Sequence, residues 1–494
     1  MSEQVQNVFA KARQGELRAE AIIVGYSTGS QTLETRDPFD ESVIGQVEAC
    51  TEEQVNLAVA AARASFEQGE WRKLAPAERK QRMQDWVALL EQHQEELAAL
   101  DCVDGGKPIS ECLNTDIPET INTLAWYAEA VDKVFGKVAP TGDDTLGLVV
   151  NEPIGVVAAV LPWNFPAQMF AWKVGPALVT GNSVIVKPAE QTSLSAWRMV
   201  QLAHQAGIPQ GVLQLVTGLG EQTGMPLGLH PDVDMVSFTG STEVGRLFLQ
   251  YSAQSNLKEV VLECGGKSPQ LVFDDVEDLD AIVDDVLAAA FWNMGENCSC
   301  GSRLLVQQGI KEPLLDKLCS RLAGWKLGDP KEADTMVGPM VEPVHFNKVK
   351  AMVELAGEQG ARLRYGGNTP ALGAGLFVEP TIFDEVSADM TLFRDEVFGP
   401  VLAVTEFSSE EEAVSLANQT QYGLAASLYT SHMGRAHRVS RALKAGTVSI
   451  NCFSEGDITT PFGGYGQSGF GGRDNGLEAM EQYLQKKTIW YNQG

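Results

Sequence analysis

The sequence predicts an α/β fold in which a mainly parallel sheet is followed by a second α/β series. Three observations predict it. The chain has 494 residues, too many for one small domain and enough for two or three packed units. From residue 154 onward, short apolar runs alternate with segments of helical length, the pattern of βαβ units. The alternation restarts after "LECGGKSPQLVFDD" at 262–275 and continues to about residue 450.

The elements follow in order. Residues 52–66 and 77–101 have helical apolar spacing with one polar face, and "IPETINTLAWYAEAVDKVFG" is a third helix. "KVAPTGDDTLGLVVNEPIG" reads as two extended runs joined by a turn at 142–144. "IGVVAAVLP", "NSVIVKP", "VLQLVTG" and "VDMVSFTG" are strands. Between and after them, "AQMFAWKVGPALVTG", "SLSAWRMVQLAHQAG" (closed by Gly207) and "STEVGRLFLQYSA" are helices. In the second series, "LDAIVDDVLAAAFWNMG" and "IKEPLLDKLCSRLAGW" are helices around the strand "RLLVQQ". The tail "TPFGGYGQSGFGGRDNG" is Gly-rich loop, and "EQYLQKKTIWYNQ" passes from helix to edge strand. Sheets of this kind bind ligands beyond the carboxyl ends of their strands.

Composition excludes several classes. With 44% hydrophobic and 21% charged residues, the chain is globular rather than disordered. Its 65 acidic and 37 basic residues give a net charge of −28, which repels nucleic acid and anionic membranes. The N-terminus is polar and mixed in charge, unlike a signal peptide, and no apolar run is long enough to span a bilayer. Eight scattered cysteines then read as reduced thiols in a cytoplasm. A zinc site is not expected, because no Cys-x-x-Cys occurs and no histidine lies near Cys298 in sequence.

Short motifs sit at strand ends. "PWNFP" holds Asn164 between two prolines, where its amide could meet a developing oxyanion; a rigid structural loop is the plainer reading. "KPAE" places Lys187 and Glu190 where the ribose of a dinucleotide would lie, though a surface lysine would look the same. "FTGSTEVG" spaces Gly240 and Gly245 across a strand-to-helix turn, suited to a phosphate or to an ordinary tight turn. "LECGGKS" offers Glu263 as a base for water, although most glutamates are merely solvated. "MGENCSCGSR" leaves Cys298 and Cys300 as one reactive thiolate or two inert thiols.

Together, "PWNFP", "KPAE", "FTGSTEVG", "LECGGKS", "GENCSCGSR", "EVFGP" and "PFGGYGQSG", in this order, resemble the aldehyde dehydrogenase superfamily over nearly the whole chain. The resemblance implies a Rossmann-type NAD-binding domain (1–134 and 155–264) and an α/β catalytic domain (265–462). It also implies a small β oligomerisation element (135–154 and 480–494), with 463–479 a loop returning to the first domain. Cys298 matches the family nucleophile, Glu263 its general base, Asn164 its oxyanion donor and Lys173 a lysine proposed to relay protons. Trp163, Lys187, Glu190, Gly240, Ser241, Gly245, Glu396 and Phe398 match cofactor contacts. Cys300 stands where a small pocket-lining residue is usual.

The implied chemistry is thiolate attack on an aldehyde, hydride loss to a nicotinamide, and hydrolysis of the thioester by water that Glu263 deprotonates. Glu190 would repel a 2′-phosphate, so NAD is expected over NADP. A homodimer or homotetramer is implied. The sequence departs from the family's common pattern at Cys264 (usually Leu), Glu296 (often Gln) and Gly466 (usually Lys).

For the substrate, Phe165, Met169, Trp172, Trp292 and Phe462 match apolar tunnel positions, where plain core packing is the alternative. Asp116 and Glu119, three apart at a helix start, match acidic anchors of amino-aldehyde enzymes, and "SEGD" adds Glu455 and Asp457. The set resembles bacterial enzymes of polyamine catabolism that act on γ-glutamyl-aminobutyraldehyde or guanidinobutyraldehyde. Alternatives are a broad aliphatic or aromatic aldehyde dehydrogenase, a cysteine esterase, and a non-catalytic binding protein.

Overall fold

The computed structural model describes all residues except 28, 30, 455, 493 and 494. Two sheets carry the molecule. The first is ordered 469–470, 259–263, 235–239, 156–160, 183–187, 213–215, all parallel except the two-residue edge strand. Its strands Val156–Val160, Ser183–Lys187 and Met235–Thr239 are buried at every position. Helices cover both faces, so these strands read as unbroken small and β-branched runs. Strand 156–160 lies between 183–187 and 235–239. The chain winds outward to one side of it and then to the other, which opens a crevice at the carboxyl ends.

The second sheet has seven strands, ordered 362–365, 381–384, 401–407, 303–307, 269–272, 425–429, 447–450. Only 362–365 runs antiparallel to its neighbour. Strands Pro269–Val272 and Arg303–Gln307 pair in parallel with Pro269 opposite Arg303, so the loop ending at Ser302 lies at the amino-terminal ends of these central strands. A third sheet pairs Leu484–Asn492 with Thr145–Pro153 over nine residues, and Lys137–Ala139 completes it. It leaves Val138, Trp490 and Tyr491 exposed.

Several expectations need correction. The helix read over 77–101 breaks at His93, whose backbone leaves helical geometry between Pro76–Gln92 and Gln94–Gly105. The segment 463–479 is not all loop. Gly469–Phe470 pairs antiparallel with Leu262–Glu263, and Gly476 opens a short helix to Glu481. The sequence reading also missed the amphipathic helix Glu3–Arg13 and a small sheet of Leu17–Ala19, Val43–Glu48 and Thr32–Arg36.

Candidate active site

The loop 293–300 is buried at every residue except Cys298, which is half-buried. The loop is wound tightly. Asn293, Met294 and Gly295 have φ of 50°, 56° and 69°, three left-handed residues in succession. For the two non-glycine residues this costs about 1–3 kcal/mol each, so packing must hold the turn. At Gly295 a Cβ would lie 2.4 Å from Gly399 O, so only glycine fits.

Cys298 packs against Phe165, Met169, Trp172, Trp292, Phe462 and Leu424 in one cluster. The rings of Phe165 and Trp292 lie 5.0 Å apart, and those of Trp172 and Phe462 5.1 Å. All five nominated tunnel residues therefore meet at the half-buried thiol of this loop. Leu424 joins them from the far end of the chain, with no motif to mark it.

Asn164 enters this loop directly. Its Nδ2 donates to Glu296 O at 2.9 Å, two residues before Cys298. A primary amide has a second N–H to offer. The Asn164 carbonyl accepts from Asn293 Nδ2 at 3.0 Å and from Lys107 Nζ at 3.2 Å.

Glu263 ends strand Glu259–Glu263 and is buried, with the Gly464 backbone N–H beside its carboxylate and no side-chain hydrogen-bond partner among the described residues. It abuts Gly463, which has φ 155° and where a Cβ would lie 2.5 Å from Glu263 Oε1 and from Arg473 Cδ, so a larger residue there would displace both side chains. Burial first, and Asp474 second, hold its carboxyl well above the usual range, while Lys173 and Arg473 pull it down. Lys173 and Asp474 form a fully buried pair at 3.0 Å. Asp474 also exchanges backbone hydrogen bonds with Phe462, at 2.6 and 2.8 Å. The sequence reading missed Asp474; its one signal is a carboxylate, in "RDNG", amid glycines.

The cofactor candidates line the carboxyl edge of the first sheet. Lys187 Nζ is buried and held by Glu190 Oε2 at 3.1 Å and Pro188 O at 3.0 Å. Ser241 caps helix Thr242–Gln254 by accepting from Val244 N, and Gly240 N donates to Glu263 O at 3.0 Å. Gly245 serves close packing: a Cβ there would lie 3.1 Å from Cys264 Sγ. The smaller Cys264 thus fits beneath this helix. Glu396 Oε1 accepts from Gly266 N at 2.8 Å, and burial pushes its carboxyl up to about 7. A Cβ on Gly265 would lie 2.0 Å from Glu396 Oε2. Trp163 stacks edge-on to Phe398 at 5.3 Å and to His345 at 5.1 Å. His345, which no motif announced, bonds Phe398 O through Nε2 at 2.7 Å, and burial lowers it to about 4. Glu296, the departure from Gln, is buried 3.5 Å from the same nitrogen. Gly466 sits at φ 59°, with Gln421 O 2.7 Å from where a Cβ would be.

The acidic anchors are rearranged. Asp116 and Glu119 do not share a face: Asp116 is buried in an ion pair with Lys107, whereas Glu119 is exposed. Residues 112–116 form a wider π-turn ahead of helix Ile117–Ala130, which breaks the simple three-residue spacing. Asp457 accepts from Thr459 N at 2.7 Å within its own turn. Glu455 lies outside the described residues. Glu111 meets the aromatic cluster instead: its Oε2 accepts from Trp292 Nε1 at 2.9 Å. Cys300 is buried and donates its thiol to Ala290 O at 3.3 Å.

A half-buried thiol among aromatic side chains, an anchored amide and a desolvated carboxyl are the parts of covalent carbonyl chemistry. The profile of the aldehyde dehydrogenase family matches residues 26–489. Aminoacetaldehyde dehydrogenase of Pseudomonas aeruginosa is 54% identical over 462 residues, covering 94% of this chain and 92% of that protein. The crystal structure of gamma-glutamyl-gamma-aminobutyraldehyde dehydrogenase from Burkholderia cenocepacia superposes with a TM-score of 0.95 at 46% identity, over 99% of this chain and 100% of the other. AldA of P. syringae, an indole-3-acetaldehyde dehydrogenase solved with NAD+, gives a TM-score of 0.96 at 44% identity with the same coverage. The chain belongs to the aldehyde dehydrogenase family.

Proposed function

We propose that this chain oxidises an amino-bearing aldehyde to the carboxylic acid with NAD, through a thioester on Cys298. The observation that carries the reading is the loop 293–300, closed everywhere except at the one thiol that faces the aromatic cluster. The free N–H of Asn164, with the Cys298 backbone N–H by family analogy, holds the oxyanion of the tetrahedral adduct. Loss of such a donor typically costs about 2.7–4 kcal/mol in other enzymes. Glu263 in its deprotonated form, with the positive charges of Lys173 and Arg473 favouring that form, takes a proton from the water that hydrolyses the thioester.

NAD fits the residues present. The Lys187–Glu190 pair at a strand end suits ribose hydroxyls, and the Ser241-capped helix start suits a pyrophosphate. Trp163, Phe398 and Glu396, held against the Gly265–Gly266 backbone, complete the wall. When bound, NAD supplies the hydride acceptor. The NAD+-bound structural neighbour and the carboxylate at Glu190 both favour NAD over NADP.

The substrate class rests on two relatives named for amino-bearing aldehydes and on the carboxylate of Glu111, bound to Trp292 of the aromatic cluster. The apolar lining keeps broad aliphatic or aromatic aldehydes as the second reading. A homologous aldehyde pair, with and without a terminal amine, separates them: the proposal expects higher kcat/KM for the amine, and equal values would remove it.

Three further parts belong to the same reading. The domains divide at 1–134 with 155–264, 265–462, and 135–154 with 480–494. The exposed third sheet supports a homo-oligomer built through it. A cytoplasmic location is supported by eight cysteines without a disulfide; among the described residues, no helix is long and apolar enough to cross a membrane.

A further inference from the structure

We infer that Lys107, locked by Asp116, is a positioning residue that sets the oxyanion-binding amide of Asn164. The inference rests on the role proposed above for Asn164.

The sequence "DGGKP" places Lys107 just past a helix end. Helix Gln94–Gly105 closes on Gly106 at φ 74°, and a Cβ there would lie 3.0 Å from Pro38 and 3.2 Å from Pro339. The turn drives Lys107 into the interior, where its side chain is 2% exposed. Its Nζ has three neighbours. Asp116, equally buried, forms the ion pair. The Phe165 ring centroid lies 3.7 Å away, a cation–π contact. Asn164 O accepts its hydrogen bond at 3.2 Å.

The two residues held on the far side are therefore consecutive, Asn164 and Phe165. One supplies the amide and the other lines the pocket at Cys298. A buried lysine that bonds a backbone carbonyl fixes the peptide plane after Asn164. The side chain is fixed separately, through Nδ2 to Glu296 O. Asn293 Nδ2 closes the ring by bonding both Asn164 O and Glu296 O, at 3.0 and 3.2 Å. With both ends of Asn164 pinned, its remaining N–H has one direction. Small displacements of such groups are costly, about 10²-fold for 1 Å. Asp116 keeps Lys107 in place and supplies the counter-charge a buried ammonium requires.

The test is a double-mutant cycle between Lys107→Met and Asn164→Ala, read in steady-state aldehyde oxidation with NAD and in NAD-independent hydrolysis of p-nitrophenyl acetate. Lys107→Met should lower kcat about 10- to 100-fold in both reactions, with KM and NAD affinity nearly unchanged. In the Asn164→Ala background the same change should alter kcat by less than about twofold, because residues that act through one group are not additive. Lys107→Arg should recover part of the loss. The paired replacement Lys107→Met/Asp116→Asn leaves no unpaired buried charge and repeats the measurement should the single variant fold poorly. A full kcat loss in the Asn164→Ala background, or unchanged kcat in a folded paired variant, overturns the inference. If Asn164→Ala alone leaves kcat intact, the oxyanion role itself falls, and the two failures are thus told apart.

Discussion

Two buried lysine–aspartate pairs meet the helix Pro166–Val179, one through Lys173 on the helix itself and one through Lys107 at its start, and they have different work. Lys173–Asp474 lies beside Glu263, a buried carboxyl with no side-chain hydrogen-bond partner among the described residues. Lys107–Asp116 lies beside a carbonyl that accepts from Lys107 and from Asn293, and beside an aromatic ring. The first pair acts on a group that can gain or lose a proton. The second acts on groups that cannot, so only geometry is left for it to control. The same residue types thus yield an electrostatic device at one end of the site and a mechanical one at the other.

The largest expected difference comes from the group each pair serves. Glu263→Gln should cut kcat by about 10²- to 10⁴-fold, the usual range for a general base. A burst of NADH should survive, because the acyl-forming half does not need this carboxylate. Stopped-flow absorbance at 340 nm checks both; loss of the burst would show that Glu263 acts earlier.

Stability should separate the pairs next. Lys107→Met leaves Asp116 buried without its partner and should cost about 3–5 kcal/mol in urea unfolding. The paired replacement Lys107→Met/Asp116→Asn should recover most of that. Equal losses in the two variants would mean that packing, not charge, dominates there.

A smaller effect should appear in the pH profile. Burial and Asp474 raise the Glu263 carboxyl, and Lys173 lowers it. Activity needs the deprotonated form, so it rises with pH through this group. Lys173→Met removes a lowering influence and should move the rising limb of kcat to higher pH, with a several-fold loss at neutral pH that alkaline buffer restores. An unmoved limb would make Lys173–Asp474 structural only. Lys107→Met should lower the whole profile without moving it.

The smallest effect concerns the tunnel. Glu111→Gln should reduce kcat/KM for an ammonium-bearing aldehyde by about 2- to 5-fold, the worth of a half-exposed charge pair, and leave the neutral homologue unchanged. Equal changes for both would assign Glu111 to holding Trp292.

Much of this was legible in the sequence. Parallel strands covered on both faces leave continuous apolar runs, and the residues at or just past their carboxyl ends, Asn164, Lys187, Gly240 and Glu263, fall along one edge. What escaped was set by distance along the chain. Lys173 meets Asp474 across 301 residues, Trp292 meets Glu111 across 181, and Lys107 meets Asn164 across 57. No local period encodes such partners. The match to acidic anchors of amino-aldehyde enzymes points Asp116 at substrate, yet a buried lysine claims it. His345 and Leu424 belong to no motif at all.

The covalent step can be tested by intact-protein mass spectrometry of Glu263→Gln quenched within seconds of mixing with aldehyde and NAD. The account predicts one acyl group per chain, mapped by proteolysis to Cys298, formed together with one equivalent of NADH. NADH without an acyl adduct, or an adduct at Cys300 or Cys264, would contradict it.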